Sequence, residues 1–184
     1  MTYPMTVAGL RRDLPICKVT DDLYIGAFIV FGDAELTVAC ARELLKLVPA
    51  EDYDYMLTAE AKSIPLIHEM ARQSGAKKYF IARKVLRHIC RILSTWKTPP
   101  SPPREPSGCI WAGTTRHDPW QAHRADGRCD LHRRQLHAME ELVKLAGGIV
   151  VDRIAVLAEG DAQQRKDIQY LAPLPVFNAD GTVK

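Results

Sequence analysis

Apolar residues fall at helical spacing through AELTVACARELLKLV (34–48), a stripe that predicts an amphipathic helix. A Pro-Ala-Glu-Asp turn follows, and then YDYMLTA (53–59), a short strand-like run. The polar loop Glu60-Ala61-Lys62-Ser63 leads into IPLIHEMARQSG, an amphipathic helix with Gly75 as its C-cap, and KYFIA (78–82) predicts the next strand. Strand, helix and strand in this order make a βαβ unit. Further along, LHAMEELVKLAGG predicts a helix ending in glycines, and IVVDRIAVLAEG a buried strand. Alternation of this kind predicts an α/β fold, a parallel central sheet flanked by helices on both faces.

The pattern breaks between Val85 and Gln135. That stretch has no hydrophobic period, and it holds six of the twelve Pro, all three Trp, three of the five Cys and four of the six His. It carries 9 Lys and Arg against 4 Asp and Glu, leaving 16 against 18 for the remainder. The formal charge of +3 is therefore local, and the basic balance is poor evidence for a nucleic-acid or membrane partner.

A chain of 184 residues suits a single domain with a core of its own. MTYPMTVAGLRRDL has no apolar segment of signal length, and no run approaches the about 18 apolar residues of a membrane span, so a cytosolic protein is expected. Five Cys without framework spacing fit reduced thiols, with Cys17 and Cys40 in or near the core.

In parallel sheets ligands sit beyond the C-terminal ends of the strands. Two loops qualify: Glu60 to Ser63, and Arg83-Lys84 after KYFIA. A cation where backbone amides converge suits an oxyanion such as phosphate, although Lys and Arg at strand ends are more often simply solvated.

At these residues the chain resembles a known family. DYDYMLTAEAKSIPLIHEMARQSGAKKYFIARK is similar to the first half of a type I phosphoribosyltransferase of the adenine phosphoribosyltransferase kind, in which a strand, an EARG-like loop, a helix and a strand ending in RK follow in this order. AGLRRDLP resembles the family's N-terminal segment, and AVLAEGDAQQRKDIQYLAPLPVF its last strands. The likeness covers about residues 5–84 and 136–180, and order and spacing carry it. It implies one phosphoribosyltransferase-like domain over 1–184, with a hood within 1–20 and an anomalous segment at 85–135.

The family's signature is absent. Two acidic residues at the end of a hydrophobic strand, then a short Thr-Gly loop and a helix, belong just before LHAMEELVKLAGG, and GRCDLHRRQ stands there instead. One central strand and residues 85–135 are therefore expected to be disrupted or disordered. The genetic code offers a reason. After a lost nucleotide each displayed codon straddles two true ones, so displayed residues restrict the true ones. Read from the second base, codons 120–135 permit GKRIVLMDDVISTGDS, which ends at the junction with Leu136. Read from the third base, codons from 88 permit Y and M, codons 93–97 permit FDVE and codons 99–104 permit SITTA, similar to the family's intervening segment. Deletions near Val85, near residue 118 and near Gln135 would produce these frames in this order, either as sequence errors or in a decayed gene.

By the resemblance, the enzyme would join a purine base, adenine first and another purine second, to phosphoribosyl pyrophosphate, with magnesium on the pyrophosphate. Glu60, Ala61, Lys62 and Ser63 match the pyrophosphate loop, and Arg83 and Lys84 match the basic pair contacting the same group. Within the hood over the base lie Leu10, Arg12, Asp13, Leu14 and Pro15. The acidic pair being absent, no catalytic residue is assigned, and the chain as written is expected to be inactive. Family members are commonly dimers, so a homodimer is implied; nucleic-acid and membrane partners are not expected.

Other readings of the anomalous stretch stay open. Cys109, His117, His123, Cys129, His132 and His137 are types that bind zinc, but their spacing lacks the paired short-range motifs of structural sites, and no metal site is assigned. TPPSPPREP fits a polyproline linker and RADGRCDLHRRQ a nucleic-acid patch. A shifted frame in a GC-rich gene generates Pro, Arg and His together and accounts for all of these. The alternative function is a non-catalytic phosphoribosyltransferase-like regulator, or a nucleic-acid or metal binder using the basic stretch.

Overall fold

Alternation, not helical period, organises the first residues of the chain in the computed structural model. Tyr3, Met5 and Val7 on β1 (Thr2–Val7) face the same side as Leu10, Arg12 and Leu14 on β2 (Leu10–Thr20), with Met5 opposite Arg12 and Tyr3 opposite Leu14. The turn between them is two residues, Ala8 (φ 52) and Gly9 (φ 80), the left-handed pair that a tight hairpin requires. β3 (Leu23–Gly26) adds an antiparallel neighbour, and β9 (Val176–Phe177) closes the sheet in the order β1-β2-β3-β9. The structure describes residues 1–49, 52–59, 61–82, 108–113 and 130–184, with the backbone alone for 108–113 and 130–135.

The second sheet has five strands in the order β5-β4-β6-β7-β8: β4 (Tyr55–Ala59), β5 (Phe80–Ala82), β6 (Gly108–Gly113), β7 (Ile149–Glu159) and β8 (Gln169–Leu174). Its recorded pairings are parallel. The predicted helices are present as α1 (Ala34–Leu45), α2 (Ile64–Ser74) and α3 (Asp130–Leu145). Asp33 caps α1 by accepting from the Leu36 amide at 3.0 Å, and Gly75 ends α2 at φ 75, the left-handed conformation that costs a side chain most.

Strand parity assigns the faces. Met56, Ile154 and Val156 point toward α1 and α2, in a cluster that also takes in Met5, Val7 and Leu14 of the first sheet. Leu57, with Tyr55 and Ala59, points toward Met139 and Val143 of α3. Along β7 the parity changes once, because Cys109 opposes Val150 while Ile110 opposes Asp152, leaving Val151 as the extra residue of a bulge. Val150 and Arg153 thus both reach the α3 side.

The slot in which a central strand is expected to be missing is filled by another segment. Gly108–Gly113 forms a strand between β4 and β7, and α3 starts at Asp130, before the Leu136 at which the pattern resumes. The backbone of this strand pairs with β4 on one side and β7 on the other. The rest of 85–135 lies outside the described residues.

Candidate functional site

The strand order locates the crevice. From β4 the chain steps out to β5 and returns on the other side of β4 as β6, so the connections leaving β4 and β6 diverge at their C-terminal ends. Such a switch point leaves an opening where loops meet ligands. The β4–α2 loop lies there.

Of the loop residues read from the sequence, Ala61 is exposed, Lys62 half-buried and Ser63 buried. They form a tight turn into α2, with the Ile64 amide donating to the Ala61 carbonyl at 3.2 Å and the Ile67 amide to the Ser63 carbonyl at 3.0 Å. Ser63 occupies the N-cap without a side-chain bond to its helix, and Pro65 stands in the first turn, where its missing N–H removes no helical bond. A helix N-terminus faces this loop, with the partial positive charge of its amides. Glu60, Arg83 and Lys84 lie outside the described residues.

The first sheet stands beside the same edge. Only Pro175 separates β8 from β9, Val176 lies 3.6 Å from the position of a Cβ on Gly160 just after β7, and Leu14 and Leu174 each lie 3.4 Å from the position of a Cβ on Gly26. Strand alternation divides the five hood residues. Leu14 is buried in the common core with Leu10 packed against it, whereas Asp13 and Pro15 are exposed on the opposite side.

Arg12 joins the hairpin to α1. Its Nε and Nη2 donate to Asp33 at 2.7 and 3.2 Å, and Nη2 also donates to Glu35 at 2.8 Å. These bonds raise the guanidinium pKa further, and Arg12 together with the Leu36 amide holds the Asp33 carboxyl below its ordinary range. Arg12 is thereby committed to α1.

Sequence reasoning passed over Glu159. It ends β7 at the crevice edge of the sheet with 4 % exposure, directly before Gly160 (φ 52). The signal was a carboxylate closing the apolar run IAVLA. Among the described residues no three His, Cys, Asp or Glu side chains converge to hold a metal ion. Of the zinc candidates, His137 is exposed on α3, Cys109 and His132 are described by backbone alone, and His117, His123 and Cys129 lie outside the described residues. No helix among the described residues is long and apolar enough to cross a membrane.

No family model and no curated protein matches the sequence. Solved structures do. UMP synthase of Leishmania donovani is similar with a TM-score of 0.50 at 10 % identity, over 78 % of this chain and 28 % of that one. An adenine phosphoribosyltransferase from Thermoanaerobacter pseudethanolicus gives 0.49 at 18 % identity, covering 78 % and 83 %, and a purine phosphoribosyltransferase from Pyrococcus horikoshii gives 0.46 at 12 %, covering 80 % and 87 %. The chain has the type I phosphoribosyltransferase fold. It spans little more than a quarter of the UMP synthase chain, and identities this low speak for the fold alone.

Proposed function

We propose that this fold serves transfer of a phosphoribosyl group from phosphoribosyl pyrophosphate to a purine, adenine before others, yielding a nucleoside monophosphate and pyrophosphate in nucleotide salvage. The observation that carries the reading is the turn Ala61–Ser63, which delivers a half-buried lysine to a helix N-terminus at the switch point of the sheet.

In that reaction a base nitrogen bonds to ribose C1′ as the C1′–O bond breaks. The bonding pair leaves with pyrophosphate, and the proton on the base nitrogen passes to solvent. Positive charge on the ribose and negative charge on the leaving group make positioning and fixed charge the main levers. Lys62 would meet the leaving group as a point charge, without the two-pronged geometry of the arginine in the family's loop. Glu60, Arg83 and Lys84 are proposed for the same group. Leu10, Arg12, Asp13, Leu14 and Pro15 are proposed as hood, with Leu14 and Arg12 shaping it from within rather than by touching the base. Magnesium is proposed on the pyrophosphate of the substrate, as the family resemblance implies. A cytosolic homodimer is the proposed state.

The chain lacks the acidic pair expected to hold the ribose hydroxyls, so the 184-residue protein should bind phosphoribosyl pyrophosphate weakly and show no turnover above background. Calorimetric titration of the substrate and release of pyrophosphate in the presence of adenine measure both. Normal turnover by this chain would overturn the inactivity. The same absence favours a second reading, a non-catalytic regulator; retention on heparin that persists after removal of residues 85–135 would support it.

A further inference from the structure

We infer that codons 120–135 encode, one base out of frame, the central strand and strand–helix loop that the parallel sheet calls for between β4 and β7. Three observations meet here. The slot has a sheet neighbour on either side and helices on both faces, an environment that selects a continuous apolar run. Its neighbours contain such runs, YMLTA in β4 and IAVLA in β7, whereas β6 reads GCIWAG with a glycine at each end. Glycine in a strand interior or end contributes no side chain to either core.

Connection length is the second observation. Residues 60–63 join β4 to α2, within the about 2–6 residues usual for such links, while residues 114–129 separate β6 from α3. The third is the reading of the codons. From the second base, codons 123–126 permit Ile, Val, Leu and Met in succession, a strand's worth of apolar side chains, and codons 127–135 then permit DDVISTGDS, rich in the Asp, Ser and Gly of strand–helix turns. That reading runs directly into Leu136, the first residue of the buried stripe Leu136, Met139, Val143 on α3. Strand, short loop and helix thus become contiguous, and β6 stands where the displaced strand belongs.

The sheet calls for an apolar run and the genetic code permits one here; the choice of DDVISTGDS among the residues those codons permit follows the family resemblance, and the use of its two acidic codons rests on the proposed transfer. The test is deep sequencing of the source DNA across codons 85–135. Recovery of single missing nucleotides near codons 85, 118 and 135 is the expected result for a damaged record. DNA that lacks those nucleotides but spells the apolar run and DDVISTGDS in its second-base frame supports the same inference for a decayed gene. Bases at codons 120–135 that spell neither overturn it. Expression of the frame-corrected protein then separates the two proposals. Turnover of adenine about 100- to 1000-fold above the 184-residue chain, the scale on which loss of fixed transition-state contacts acts, supports both; a corrected protein that folds and consumes no purine leaves the frame inference standing and removes the function.

Discussion

On one face of the parallel sheet α1 and α2 bring Leu36, Cys40, Leu44, Leu66, Ile67 and Met70 against Met56, Ile154 and Val156, each at 1 % exposure or less. On the other face α3 brings Met139 and Val143 against Leu57 at 4–8 %, and its Leu142 and Leu145 remain 50 and 83 % exposed. The first face is assembled largely from residues 34–71 and 154–174, where the apolar period is unbroken. The second depends on a helix entered directly from the stretch where that period fails. Burial among the described residues therefore follows the integrity of the pattern, face by face.

Thiol chemistry gives the widest separation. Cys40 is buried on α1, and burial pushes its pKa up to about 12, so neither access nor thiolate is available in the folded chain. Cys17, expected in or near the core, is instead exposed, because it shares the outward parity of β2 with Asp13 and Pro15. Pulse labelling with iodoacetamide and peptide mass spectrometry should modify Cys17 promptly and Cys40 only at the rate of unfolding, slower by about 1000-fold or more for a domain of ordinary stability. Equal labelling would mean that the α1–α2 face does not close in solution.

Truncation compares the faces directly. Leu66→Ala on α2 should cost about 2–5 kcal/mol, transfer plus a cavity that close packing cannot collapse. Val143→Ala on α3 removes two methyl equivalents from a thinner cluster and should cost about 1–2 kcal/mol. Urea denaturation of both variants reads the difference. Equal costs would abolish the contrast, and a frame-corrected protein should narrow it by raising the cost of Val143→Ala.

How much of this was legible in the sequence follows the same division. The helices 34–45 and 64–74, the strands 55–59 and 149–159 and the glycine cap at 75 were all readable, because period and capping agree there. The β1–β2–β3–β9 sheet was anticipated only as a hood segment. Arg12, a charged residue on the inward parity between Leu10 and Leu14, obscures its alternation, and alanine at a positive φ is not a turn signal. Ala61 to Ser63 were readable as a loop after a strand. The commitment of Arg12 to Asp33 was not, since it joins residues whose proximity only the tertiary fold creates.

Acid should loosen the better-covered face by a smaller amount. Glu69 on α2 accepts from Arg72 at 2.7 and 2.8 Å and from Gln73 at 2.8 Å, while Gln73 also reaches the Val38 carbonyl of α1 at 3.1 Å. Arg72 first and Gln73 second bring the Glu69 pKa down from about 4.5 to about 2. With the folded value below the unfolded one, the stabilisation is complete above about 4.5 and is lost as pH falls toward 2. Urea midpoints at pH 7, 4 and 3 should fall for the parent and fall less for Glu69→Gln, which is already without the charge. Identical slopes would show that this carboxylate does not couple α2 to α1.

The smallest effect concerns the ion pair on the thinner face. Arg153 of β7 donates to Glu140 of α3 at 2.7 Å, with the two side chains 24 and 30 % exposed. The bulge at Val151 places Arg153 on this side, and an amphipathic stem can cover apolar area that α3 leaves open. Solvent access limits such a pair to about 0–1 kcal/mol. A double-mutant cycle of Arg153→Met and Glu140→Gln should give a coupling in that range that shrinks in high salt. A coupling above about 2 kcal/mol would mean that charge, not the Leu136–Met139–Val143 stripe, seats α3 on the sheet, and it would reverse the inference that the two faces differ in apolar cover alone.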